Sequence, residues 1–397
     1  MTVQKMTERR TALLGALLTA IGPLSMAIYA PAMPELVRAF STTDAAITAS
    51  LSFYFGGFAV AQLAAGAASD AFGRRPACLT FFAIYLAGAV MACLAPTVEW
   101  LLAGRLIQGV GASVGVTVAR AVVRDQFSGI QAARIMNLIG IILGVGPALG
   151  PIIGGITLEL FGWQAVFLLM IALGLACCAA VVSMPETTVP DISRFRPGTM
   201  LATYGRLGID PRFVLPSLVV GGAVGALYTQ ATMLPFILIK IVGLSPSQYG
   251  FVMLFQTGSY FIGSVVLRVL PPRFGGHRSV VAGLLFCGTG AAMMLFLSRL
   301  VEPTLLTVMI PISFTTFGIA LITPHIVTVA LTPFPKVAGS ASAMMGFIQM
   351  GAGFCMGLAG ALFSSPVIAY GTLLPAMHAT AILSYIAYLR LFPSGRE

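Results

Sequence analysis

The sequence predicts an all-α integral membrane protein, with twelve transmembrane helices arranged as two pseudo-symmetric six-helix bundles. Three observations lead there. The chain of 397 residues is 58% hydrophobic and only 9% charged, whereas a soluble domain carries about 25% charged residues. Such a chain cannot cover itself with a wetted surface, so lipid must be its solvent. Its uncharged runs between polar loops number twelve. Threading those runs through a bilayer puts nearly all of its Lys and Arg on one side.

The first six runs are Thr11–Pro34, Ala45–Ser69, Pro76–Val98, Trp100–Ala119 (containing Arg105), Ile135–Leu158 and Leu160–Pro185. A helix needs roughly 20 apolar residues to cross the hydrocarbon core, and each run is long enough. A polar segment, Glu186–Arg212, follows. Then come Phe213–Ile239, Ile241–Leu267, Ser279–Ser298 and Pro303–Pro335, the last containing His325. The final run, Val337–Leu389, would be ~80 Å long as one helix. It must turn back, and Ser364–Gly371, "SSPVIAYG", supplies the Ser, Pro and Gly to do so. The domain reading is therefore a bundle over 1–185, a linker over 186–212 and a second bundle over 213–397.

Charge tests the threading. With the N-terminus inside, 17 of the 22 Lys and Arg face inward. Only Arg38, Lys240 and Arg299 face out, and Arg105 and Arg120 sit within the fourth span. Basic residues gather on cytoplasmic loops, so both termini are expected in the cytoplasm. The same rule explains the net charge of +10 without nucleic acid. The basic "MTVQKMTERR" leads into 24 uncharged residues, enough to span, so it reads as a retained first helix rather than a signal peptide. All six cysteines (Cys78, Cys93, Cys177, Cys178, Cys287, Cys355) fall in apolar runs without metal spacing and read as small buried hydrophobes.

Between spans two and three lies a polar knot, "GAASDAFGRRPACL". Gly66 lets a helix end approach a neighbour, Asp70 is an acid at that end, Gly73 permits the reversal, and Arg74-Arg75-Pro76 opens the next span. This stretch resembles the Gly-x-x-x-Asp-x-x-Gly-Arg-Arg-Pro signature of the major facilitator superfamily. "GRLIQGVGAS" (Gly104–Ser113) in span four is similar to that superfamily's embedded-arginine motif. "GVGPALGPIIGG" (Gly144–Gly155) in span five resembles the motif of its drug-antiporter branch. "YAPAMP" (Tyr29–Pro34) is similar to the bicyclomycin- and chloramphenicol-resistance type within that branch.

The resemblance implies a secondary transporter exporting drug-like small molecules in exchange for protons, by rocking its halves. It covers essentially the whole chain. The sequence departs from the family pattern at Ala71, where a basic residue is usual. It departs again at Met26-Ala27-Ile28-Tyr29, where close relatives tend to carry an acid. An exporter or importer of a small metabolite is the alternative within transport, and a receptor or structural membrane protein is the alternative outside it. An intramembrane enzyme would need a nucleophile–base set or clustered ligands, and neither is present. No cofactor, metal or nucleotide-binding loop is expected, and the chain is expected to act as a monomer.

Each motif has a physical reading. Asp70 can latch the halves on the inner side, with Arg124 and the start of span eleven (Gly339–Met345) as partners. Arg105 lies in lipid, where an arginine costs at least ~2.5 kcal/mol, so it should face a partner or a wet cavity. Gln108 lies one turn deeper, and Glu35 is a possible counter-ion. Gly146, Gly150 and Gly154, with Gly155 beside them, let helices touch closely. Pro147 and Pro151 each remove a backbone donor. Substrate is expected between the halves near the midplane, among Tyr29, Tyr54, Phe58, Tyr228, Gln230, Met233, Gln256, Tyr260, Gln349 and Met350. None of the 12 carboxylates falls mid-span, so the candidate proton carriers are Glu35 at an outer end and, within spans, His325 and His378, both expected away from the midplane; uncoupled transport, or coupling by the substrate's own charge, is the alternative.

Overall fold

The structure, a computed structural model, describes residues 6–192, 195–269 and 275–393, without the side chains of 133 and 141–145. Lys5, Arg194, Arg273 and Arg396 lie outside that description. Among the described residues the chain is helical, with no strand.

Thr and Ser side chains start several of the helices. Thr7, Thr43 and Ser365 each accept a backbone N–H of the first turn, and Thr304 and Thr307 form a reciprocal capping box. The first six helices are α1 (Glu8–Ala39), α2 (Asp44–Phe72), α3 (Arg74–Cys93), α4 (Val98–Gln126), α5 (Gly129–Phe161) and α6 (Trp163–Val182). The linker contains a helix the sequence reading did not foresee, α7 (Pro197–Ile209). The rest are α8 (Pro211–Ile241), α9 (Pro246–Val269), α10 (Gly275–Leu300), α11 (Leu305–Leu331), α12 (Pro335–Gly360) and α13 (Pro366–Leu391). Among the described residues, 11 helices are long and apolar enough to cross a membrane. The twelfth is α5, whose Gly146–Phe161 portion is apolar. Pro147 and Pro151 sit inside α5 without ending it. The last reversal falls just before Pro366, earlier than expected, because proline there starts a helix rather than stopping one.

The pairing of helices repeats. In the first bundle α1 packs on α4, α5 and α6, α2 on α4, and α3 on α4 and α6. The same pattern recurs six spans later, with α8 on α11, α12 and α13, α9 on α11, and α10 on α11 and α13. Across the bundles the large contacts are α2 with α12 and α5 with α9. Phe236, Met350, Tyr228 and Phe354 of the second bundle pack into the apolar core of the first. Four cysteines are buried as expected, while Cys178 is half-buried and Cys355 is exposed.

The two ends of the helix assembly differ. Met6, Arg74, Gln126, Ser183 and Glu186 meet at one, called here the basic end. Phe40, Trp163, Lys240 and Arg299 mark the far end, where the Phe40 and Trp163 rings pack 5.4 Å apart.

Candidate functional site

At the far end the bundles are sealed by backbone. Gly155 of α5 lies against the Pro246 carbonyl of α9, too close for any Cβ. Gly250 of α9 leaves the same narrow space for Pro151 and Ile152. The Glu159 carboxylate accepts the Ser247 N–H at 2.9 Å, and Lys240 Nζ pairs with Asp44 at 2.6 Å. Gly150 and Gly154 face the other way, onto Ala27 and Ile28 of α1, and Gly146 rests on Leu24. The span-five motif thus has two working faces. One holds its own bundle together and the other closes on the opposite bundle.

At mid-depth the seam is aromatic. Phe55 packs on Tyr228 at 5.5 Å and Phe53 on Phe354 at 6.1 Å. Toward the basic end the bundles part, and a cavity of about 500 Å³ opens between α2, α4, the start of α12 and the linker helix α7. Tyr204 of α7 lines it and donates to the Leu63 carbonyl of α2 at 2.7 Å. Burial raises the Tyr204 pKa, against a smaller lowering by Ser340, so the phenol stays a donor at neutral pH. Arg120 donates to Ser342 at 3.0 Å across the same gap.

The polar knot forms the rim of this cavity. Gly73 has φ +99°, a conformation that glycine adopts without strain. That turn folds Arg74 back over Asp70, four residues earlier, and the two pair. Asp70 therefore does not pair with Arg124, although Arg124 and Gly339 line the same cavity. Arg74 also donates to Asp125 at 2.9 Å and Ser69 at 2.7 Å. The Glu186 carboxylate caps α3 by accepting the Arg74 and Arg75 N–H groups at 2.9 and 3.0 Å. Asp125 and Glu186 were missed in the sequence because nothing local links them to the knot; 51 and 112 residues separate them from Arg74.

Arg105 is wholly buried inside the first bundle. Its guanidinium lies 4.2 Å from the Tyr29 ring centroid and 4.4 Å from that of Tyr54, cation–π contacts strengthened by burial. It donates to Gln108, whose amide reaches Met170 Sδ at 3.3 Å. Tyr29 and Ser50 hydroxyls meet at 2.5 Å, and those of Ser25 and Tyr85 at 2.6 Å. The expected counter-ion is absent. Among the described residues no carboxylate lies within 4 Å of Arg105, and Glu35 is half-buried on the short helical turn beyond Ala32.

A profile of the Major Facilitator Superfamily matches residues 15–360. The chain belongs to that superfamily. This major facilitator is 26% identical over 387 residues to an uncharacterized MFS-type transporter, YdgK, of Bacillus subtilis (strain 168), covering 96% of this chain and 94% of that one. It is 27% identical over 379 residues to multidrug resistance protein D of Escherichia coli (strain K12), covering 93% of each chain. Among solved structures it resembles a D-xylose-proton symporter with a TM-score of 0.73 at 13% identity, over 95% of this chain and 97% of that one. It is thus a multi-pass membrane transporter of a small-molecule substrate, and not an enzyme.

In this major facilitator, the ten residues expected around substrate do not gather in one place. None lines the basic-end cavity in this conformation. Tyr29, Tyr54 and Phe58 are buried about Arg105 and α1, and Tyr228 and Met350 lie at the aromatic seam. Gln230 and Met233 are buried in the second bundle, Gln256 and Gln349 are half-buried, and Tyr260 is 37% exposed. His325 is half-buried at the basic end of α11, against Gly276. His378 differs from expectation. Because α13 begins at Pro366, this residue stands at the midpoint of a 26-residue helix, 1% exposed, with no hydrogen-bond partner for Nδ1.

Proposed function

We propose that this transporter exports drug-like small molecules across a bacterial inner membrane by alternating access, in exchange for protons. The basic end, with both termini, faces the cytoplasm, as its excess of Lys and Arg argues. The units 1–185 and 213–397 rock against each other as a monomer, with 186–212 as the joint. One observation carries the reading: the bundles are sealed at the far end and part at the basic end around a cavity of about 500 Å³. That is the state in which an exporter loads from the cytoplasm. The likeness to multidrug resistance protein D supports a drug-like cargo.

In the opposite state Asp70 and its cluster close on Arg124 and the first turn of α12, and cargo that has moved in along Tyr228, Gln230, Gln349 and Met350 leaves at the far end. The coupled proton is carried by His378, the histidine at mid-membrane, whose protonation in a buried site would favour a rearrangement that hydrates it.

The test is expression in drug-sensitive cells, with resistance measured against a chemically broad panel, with and without a protonophore. Resistance that the protonophore abolishes is expected. Resistance that survives it overturns proton exchange, and resistance to nothing favours a metabolite as the cargo.

A further inference from the structure

The basic-end cavity has a sign. Arg120, Arg124 and Lys336 line it, and among the described residues none has a carboxylate within 4 Å. Asp70, the acid in its wall, is already bound to Arg74. The start of α12 adds its own partial positive charge, with Gly339 and Ser340 at the wall. A concave surface of one sign concentrates solutes of the other and repels its own.

A second, independent feature lies deeper. On α4, residues 105, 108, 112, 116, 120 and 124 follow at intervals of three or four, so they share one helical face. That face carries Arg105 and Gln108 inside the bundle, and Arg120 and Arg124 at the cavity. Arg105 stands about 22 Å from Arg120 by helical rise. It is 0% exposed, and its Nε and Nη2 have no hydrogen-bond partner. A buried cation with unspent donors and no counter-charge is stabilised by an anion and destabilised by a second cation. The chain offers a cationic cargo no comparable support, since all 12 of its carboxylates lie outside the middle of the spans.

From these we infer that the cargo is an organic anion, an apolar body bearing a carboxylate, sulfonate or phosphate, whose charged group is first held by Arg120, Arg124 and Lys336. The inference rests on the export reading and narrows it. Cations and uncharged compounds of the same body are the poorer ligands.

The test uses the full chain, purified in an uncharged detergent. Three compounds of one shape, naphthalene-1-sulfonate, 1-naphthamide and 1-naphthylmethylammonium, are compared by titration and by the shift in melting temperature. The sulfonate alone is expected to bind and to stabilise, less so as salt rises from about 0.05 to 0.5 M. Arg120→Gln/Arg124→Gln/Lys336→Gln should weaken it roughly tenfold, at about twofold for each exposed charge, and Arg120→Lys/Arg124→Lys/Lys336→Arg should restore most of it. All variants must elute as a single species and retain their unliganded melting temperature; if the Gln variant does not, each single Gln change is titrated and the same order is required. A preference for the ammonium, an equal response to all three, no response to the sulfonate, or sulfonate binding indifferent to the Gln changes overturns the proposal. So does stabilisation by phosphatidylglycerol in nanodiscs without any response to the sulfonate, which would assign the site to a lipid headgroup. Sulfonate accumulation in inverted vesicles separates the two readings. Binding without accumulation leaves the anion site standing and removes export, and accumulation of the amide or ammonium alone does the reverse.

Discussion

The two ends of the seam between the bundles are built from different materials. At the far end, main chain meets main chain: Gly155 on Pro246 and Gly250 on Pro151 and Ile152, with two polar links, Lys240–Asp44 and Ser247–Glu159, at the edge. At the basic end the bundles touch through long side chains around a cavity, Arg120 on Ser342 and Tyr204 on Leu63. Close backbone contact is rigid and specific. Solvated side-chain contact is weak and easily exchanged. The comparison teaches that the far end defines this state, while the basic end merely tolerates it.

The strongest way to break the comparison is to fill the far-end contact. Gly155→Leu places atoms where the Pro246 carbonyl lies, at a cost of ~1–3 kcal/mol to the closed far end. Transport should fall about five- to 150-fold. A cysteine introduced at Asp44 should react faster with a membrane-impermeant maleimide, and unchanged labelling would remove the far-end seal. Next is Asp70→Asn, which strips Arg74 of one of its two carboxylates and takes the acid from the proposed latch. Transport should drop several-fold while the amount of folded protein in the membrane stays the same; full transport would dismiss the latch.

The two smaller predictions have opposite signs. Tyr204→Phe deletes a bond worth ~1 kcal/mol that ties the linker helix to α2 at the open end. Spin-label distances across that end should lengthen, with the wider population rising about fivefold. Lys240→Gln removes a half-exposed ion pair worth ~0.2–1 kcal/mol from the closed end. It should shift the population toward the far-open state by about twofold, measured by the same distances, and raising the salt should mimic it in the unsubstituted protein. If both substitutions moved the distances in the same direction, the contrast between the ends would fail.

Much of this was legible in the chain. The apolar runs gave all twelve crossings, because lipid demands about 20 apolar residues for each. The seventh helix, Pro197–Ile209, was not among them. It is polar enough to pass for a loop, and its Tyr204 and Leu207 join an apolar cluster with residues of α8, α11 and α12. The Gly73 turn and the close approach of Gly154 and Gly155 followed from residue type alone. The partners did not. Arg74 was legible as a cytoplasmic charge, but Asp125 and Glu186 reach it only through the fold. Glu35 was a reasonable counter-ion for Arg105 by depth, yet two tyrosine rings hold the guanidinium instead. His378 moved to the middle of its helix because that helix begins earlier than the apolar run suggested.

By itself, the sequence determined which segments cross the bilayer and where the backbone can turn or touch. Those properties depend on hydrophobic length, charge and the absence of a Cβ, and each is written residue by residue. Only the tertiary structure decided which charges meet, which end of the seam is shut, and that Arg120, Arg124 and Lys336 share one cavity wall. Such pairings are made between residues far apart along the chain, and their strength is set by the burial and distance that packing alone supplies.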